Sequence, residues 1–166
     1  LARVPAEKRP RVYYGRGPAG LQTGALGSIN TEIIERAGAM NAAAPLGRGG
    51  LVNVSLEQVL SWDPLTILAI DPQFQRRALG DPLWKDVKAV RENRVFLSPR
   101  LPFGWIDFPP AVNRLLGLRW LAHLFYPDVF SGDLRAAVKE FHRRFYHRVP
   151  TEAQVDGLLA GAVPQR

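Results

Sequence analysis

"LTILAI", residues 65–70, is the most apolar strand-like run in the chain, with Asp63-Pro64 before it and "DPQF" after it. Proline lacks an amide proton and restricts the residue before it, so Asp63-Pro64 breaks the preceding element. A strand with one wet face alternates apolar and polar residues, whereas here only Thr66 is polar. Such a run belongs inside a parallel sheet covered on both faces. Two further runs read as strands. "RVYYG" (11–15) is β-branched and aromatic and ends in glycine, and "RVFLS" (94–98) is its counterpart. Tyr13 and Tyr14 then face opposite sides of the sheet. "GRGGLVNV" offers a loop and a short strand up to Val54.

Helical segments lie between and after these strands. "TEIIERA" is helical, capped by Ser28 or Asn30 and stopped by Gly38. Ser55 and Gln58 stand at capping-box spacing and predict a helix over 56–62. "PLWKDVKAVREN" reads as helix or turn. Farther on, Leu115, Leu118, Leu121, Leu124 and Phe125 recur at helical steps. Leu134, Val138, Phe141 and Phe145 repeat the pattern behind Ser131 or Asp133, and Thr151 caps "TEAQVDGLLAG". Strands alternating with helices predict an α/β fold. The expected form is a three-layer Rossmann-like lobe, its mostly parallel central sheet covered by helices on both faces and followed by C-terminal helices. Ligands of such sheets sit beyond the carboxyl ends of the strands. Those ends carry "GRGPAG", "DPQF" and "SPRLPFGW".

At 166 residues, 46% hydrophobic and 22% charged, the chain suits one domain with a real core. It has no cysteine, which excludes disulfides, thiolate metal sites and a cysteine nucleophile. No apolar run approaches the roughly 20 residues that cross a bilayer. "LARVPAEKRPRV" is charged from its third residue and does not read as a signal peptide. The abrupt start, with a helix-like scrap before Pro10, gives the expectation of a fragment whose N-terminal part, including any export signal, lies elsewhere. The net charge of +7 raises nucleic acid as a partner, but the basic residues are scattered and not interleaved with strand aromatics. Solvated helix faces explain them better, and no nucleic-acid partner is expected.

"GRGPAG" (15–20) matches GxGxxG after a strand, yet Pro18 interrupts the turn and no acid ends a second strand for a ribose. What remains is a loop with free amides and Arg16, able to face an anion or a bulky ligand. His123, His142 and His147 lack the i, i+4 spacing of a helical metal pair, and no Ser-His-Asp or paired-carboxylate pattern stands out. Glu57, in the first turn of its helix, is a solvated acid favoured by the helix dipole or a docking charge. Trp105, in the proline-rich "LSPRLPFGWIDFPP" (97–110), is either a ligand wall or a core plug. Pro109 and Pro110 read as the start of the next helix, with Pro110 near its first turn.

The ordered set of segments resembles a known family. "RVYYGRGPAGLQTGALGSINTEIIERAGAMNAA", "VNVSLEQVLSWDPLTILA", "DPLWKDVKAVRENRVFLSP" and "PFGWIDFPPAVNRLLGLRWLAHLFYPDVF" are similar to the C-terminal lobe of ABC-importer substrate-binding proteins. The branch is the one that handles iron–siderophore, haem, cobalamin and some oxyanion ligands, its two lobes joined by one long helix. The likeness covers roughly residues 8–150 and departs at "WDPLTI", where Leu65 replaces an acid. It implies residues 1–10 as the end of the linking helix and 11–163 as the ligand-binding lobe. It also implies a ligand wall of Arg16, Leu21, Gln22, Thr23, Pro102, Phe103 and Trp105. Arg16 would pair with an anionic chelate and Trp105 would stack on a planar one. Glu57 would dock on permease arginines. The implied protein is no enzyme and carries no resident cofactor or metal. It is a periplasmic or membrane-anchored extracytoplasmic monomer, delivering an iron chelate or related metal complex to permease subunits in the inner membrane. The alternatives are a nucleotide- or phosphate-dependent enzyme domain using loop 15–27, and a basic nucleic-acid-binding module.

Overall fold

The computed structural model describes residues 4–109 and 111–164. In chain order the elements are β1 (Arg11–Gly15), β2 (Gln22–Gly24), α1 (Glu32–Arg36), β3 (Met40–Asn41), β4 (Leu51–Asn53), α2 (Leu56–Trp62) and β5 (Thr66–Ala69). They continue with α3 (Pro72–Gly80), α4 (Lys88–Arg91), β6 (Val95–Leu97), α5 (Arg114–Phe125), α6 (Leu134–Tyr146) and α7 (Glu152–Leu159). Single 3-10 turns lie at Ala6–Lys8, Ala44–Leu46 and Pro82–Trp84.

β5, buried at every residue, lies inside the main sheet, as its unbroken apolarity requires. It pairs in parallel with β1 (Tyr13 opposite Ile67) and with β6 (Leu68 opposite Phe96). β3 adds to the far side of β1, giving the order β3-β1-β5-β6 with every pairing parallel. β2 and β4 form a separate antiparallel ribbon.

Side chains alternate across this sheet. Val12, Tyr14, Leu68 and Phe96 join one core with Ile33 and Ile34 of α1, Trp120 and Leu121 of α5, Val138 of α6 and Val155 of α7. Tyr13, Ile67, Ala69 and Val95 join a second core with Val59 of α2, Phe74 and Ala78 of α3, Trp84 and Ala89. Helices thus cover both faces, which is the expected α/β architecture.

Local chemistry explains the helix ends. Ser55 and Gln58 make the predicted capping box, and Thr151 and Gln154 make another. Asp133 caps α6 through Arg135 N and Ala136 N. α1 departs from expectation. Its N-cap position is Thr31, whose hydroxyl bonds the Ala25 carbonyl, while the Ser28 hydroxyl accepts from Asn30 N. β2, β3 and α3 are further elements beyond the sequence reading. α3 starts on Pro72 and is capped by Asp71, but buries little beyond Phe74 and Ala78, so its apolar stripe is faint. Pro110 lies outside the described residues, and α5 begins at Arg114.

Two glycines hold the sheet to α3. A Cβ at Gly15 would stand 2.2 Å from the Phe74 ring, and one at Gly20 only 2.0 Å from it. The glycines of "GRGPAG" therefore serve packing against Phe74. On the outer edge of β6, Leu97 N donates to the Gly161 carbonyl at 2.7 Å, and Gln75 Nε2 bonds the same carbonyl at 3.0 Å. Trp120 Nε1 donates to Ala162 O at 2.7 Å, tying that turn to α5.

Candidate functional site

Arg16 is the first residue beyond the carboxyl end of β1. The chain turns through Gly17, and returns as β2, so that Arg16 N donates to Gln22 O at 2.8 Å. This pins the backbone of Arg16 at the mouth of the sheet. The side chain is 13% exposed, with Nη1 3.4 Å from Gln22 Oε1 and Nε 3.4 Å from Asp107 Oδ2. Its Cζ lies 5.9 Å from the centroid of the Phe108 ring, within cation–π range.

Asp107 reaches this point from the loop that follows β6. Trp105 N donates to Pro99 O at 3.0 Å, and Gly104 packs on the Asp107 carbonyl so closely that a Cβ would stand 1.6 Å from it. The turn drives Trp105 and Ile106 into the core and leaves Asp107 3% exposed. Its Oδ2 accepts from the Tyr14 hydroxyl and from Asn30 Nδ2 at 2.9 Å, and its Oδ1 accepts from Phe108 N at 2.8 Å. Three donors and a guanidinium around one acid are the surroundings of a carboxylate, which is acceptor-only. Burial, then the hydrogen bond to Asp107 and its charge, push the Tyr14 phenol far above its ordinary range. Phe108 adopts φ of +68°, a left-handed conformation costing a bulky side chain about 1–2 kcal/mol. It keeps its ring 69% exposed beside Arg16.

The residues expected to form a ligand wall divide. Arg16, Leu21 and Gln22 are partly exposed, and Pro102 and Phe103 are exposed, Phe103 at 46%. The Phe103 carbonyl is held by Asn113 Nδ2 at 2.8 Å. Two positions need correction. Trp105 is 0% exposed and stands edge-on to Trp120 with centroids 6.3 Å apart, so it plugs the core and offers no face to a ligand. Thr23 is also fully buried, because strand alternation turns it inward beside the exposed-side Gln22.

Glu57 is exposed in the first turn of α2. The Ser55 hydroxyl and its own amide hold its carboxyl below the usual range. Val54 N donates to Leu21 O, and Asn53 lies opposite Gln22, so the start of α2 adjoins the Arg16 loop. Among the described residues no group of three His, Cys, Asp or Glu side chains could hold a metal ion. His123 faces the Phe130 carbonyl and His142 leans on Tyr146. Asp107, Asn30, Phe108 and the Tyr14 hydroxyl are the site residues that the sequence reading passed over. One signal was available: Asp107 is the sole acid between Glu92 and Asp128.

Such a mouth can present a guanidinium edge to an anion between Gln22 and Phe108. No protein-family model matches the chain. The molybdate-binding protein MolA of Haemophilus influenzae is 36% identical over 149 residues, covering 88% of this chain and 41% of the relative. The structure of an ABC transporter solute-binding protein from Sulfurospirillum deleyianum matches at a TM-score of 0.89 and 30% identity, over 96% of this chain and 50% of that one. The structure of MolA bound to molybdate matches at 0.78 and 34%, over 91% and 46%. The chain thus spans about half the length of the relatives it matches, and it has the α/β fold of that half.

Proposed function

We propose that this chain is the C-terminal ligand-binding lobe of an extracytoplasmic solute-binding protein. That protein would capture a small oxyanion of the molybdate class between two lobes and pass it, without chemistry, to an ABC permease. The observation that carries the ligand class is the placement of Arg16, whose guanidinium sits at the strand ends between Gln22 and Phe108. The 36% identity to a protein named for molybdate binding supports the same class.

The burial of Trp105 weighs against the iron-chelate reading, because it removes the largest aromatic plane that could stack on a planar chelate. Phe103 and Phe108 remain as the exposed rings at the mouth. A small tetrahedral dianion instead needs fixed donors and positive charge, which Arg16 and its neighbours provide. Glu57, exposed beside this mouth, is the acid proposed to dock on permease arginines.

Calorimetric titration of the full-length protein with molybdate, sulfate, a ferric siderophore, haem and cobalamin tests the reading. Molybdate is expected to bind, and Arg16→Gln to weaken it at least about tenfold through loss of a charge-assisted contact. Glu57→Gln is expected to leave binding unchanged while lowering ligand-stimulated ATP hydrolysis by the permease. Binding of a chelate and not of molybdate sinks the oxyanion reading.

A further inference from the structure

We infer that Asp107 is the positioning residue of this mouth: it holds the Nε edge of Arg16 and offsets its charge, so that the lobe meets an anion with a restrained guanidinium. The inference rests on the oxyanion reading above. Its basis is the asymmetry of the contacts around the carboxylate. Tyr14 from β1, Asn30 from the turn before α1 and the adjacent Phe108 amide all donate to Asp107, fixing it from two distant parts of the fold and from its own loop. Arg16 approaches the same Oδ2 at 3.4 Å, as an ion pair whose buried Nε finds no hydrogen-bond partner. The Oδ2 that faces Arg16 thus already accepts two hydrogen bonds, and it engages the guanidinium by charge alone. A hold of this kind aims Arg16 without locking it. It also lowers the net positive charge that an arriving anion meets, and a dianion feels that loss twice as strongly as a monoanion.

A structural role for Asp107 predicts equal losses for all ligands, whereas a charge-setting role predicts an effect that scales with ligand charge. The full-length protein is titrated with molybdate and with perrhenate, a tetrahedral monoanion, in wild type and in Asp107→Asn. In parallel, without any anion, phenylglyoxal modification of Arg16 is followed by peptide mass spectrometry. Asp107→Asn keeps an oxygen for Tyr14 and Asn30, gives up the acceptor of the Phe108 amide and loses the charge. It is expected to tighten molybdate about tenfold and perrhenate about threefold, and to speed modification of Arg16 several-fold. Tyr14→Phe leaves the carboxylate one donor fewer and a firmer grip on Arg16, so both readouts are expected to move the opposite way. It also serves if Asp107→Asn does not fold. Equal weakening of both anions, or an Arg16 reactivity that neither variant changes, overturns the inference. If wild type binds neither anion, the oxyanion reading fails by itself. The phenylglyoxal rates then still decide whether Asp107 restrains Arg16: opposite shifts in the two variants support it, and unchanged rates overturn it.

Discussion

The loop after β1 and the loop after β6 end on the same ion pair and are built by opposite means. Residues 16–21 make a short turn of glycines and polar backbone bonds, and carry one charged side chain to the surface. The second loop, over residues 98–109 and 111–113, is anchored in the core: Ser98, Trp105, Ile106, Asp107 and Asn113 are all buried, and its fold depends on what they pack against. Aromatic content therefore does not report exposure here. Phe103 and Phe108 face outward while Trp105, between them, is sealed beneath α5. Gly117 permits this, since a Cβ there would meet the Trp105 carbonyl at 1.9 Å. In the proposed reading the first loop presents the ligand contact, and the second positions it from behind.

The largest effect that would break this contrast lies in the second loop. Trp105→Ala is expected to cost about 3–5 kcal/mol in urea denaturation, and Phe103→Ala less than about 1 kcal/mol. Equal costs would mean that the loop is uniform and Trp105 is not a plug. In the first loop the sensitive position is a glycine. Gly20→Ala forces a Cβ into the Phe74 ring at a φ of +70° and is expected to cost about 2–4 kcal/mol. Gly17→Ala, at a similar φ with nothing within 4 Å, is expected to cost about 1 kcal/mol by thermal unfolding. A smaller effect reports the bond between the two regions. Tyr13 and Tyr14 both have phenols raised by burial, so folding favours their protonated forms. That contribution is intact below pH 10 and is lost as pH rises beyond it, by about 1.4 kcal/mol per pH unit for each tyrosine. Tyr14→Phe is expected to remove one such increment from the alkaline slope of stability. An unchanged slope would mean that Tyr14 is not sealed against Asp107.

The sheet was legible in the sequence because its signals are local. "LTILAI" declares its two buried faces by composition, and Ser55 with Gln58 announces a helix start within four residues. The short β2 and β3 have no such run, and α3 buries too few residues to show a stripe. Arg16 was readable as a candidate from its place after a strand, whereas Gln22 entered only through the family resemblance. Asp107 stood out only as the sole acid of its stretch, and its surroundings were not readable, because its partners Tyr14 and Asn30 lie 93 and 77 residues away and only the folded sheet brings them together. Trp105 failed for the complementary reason. Its burial is decided by Gly117 and Trp120 on a helix that the loop's own composition does not mention.

The turn at Gly161 and Ala162 has a consequence for how the chain avoids its neighbours. An uncovered strand at the end of a sheet offers its backbone to any other strand, which is a common route to aggregation. Here Leu97 gives its amide to Gly161, Gln75 braces the same carbonyl, and Trp120 anchors the next residue. During synthesis β6 is complete some sixty residues before this cover is made, and sequential emergence leaves the strand open in the interval. The turn therefore acts as a late seal, and substitutions that loosen it bear on solubility and yield more than on the mouth, which lies two strands away beyond β1.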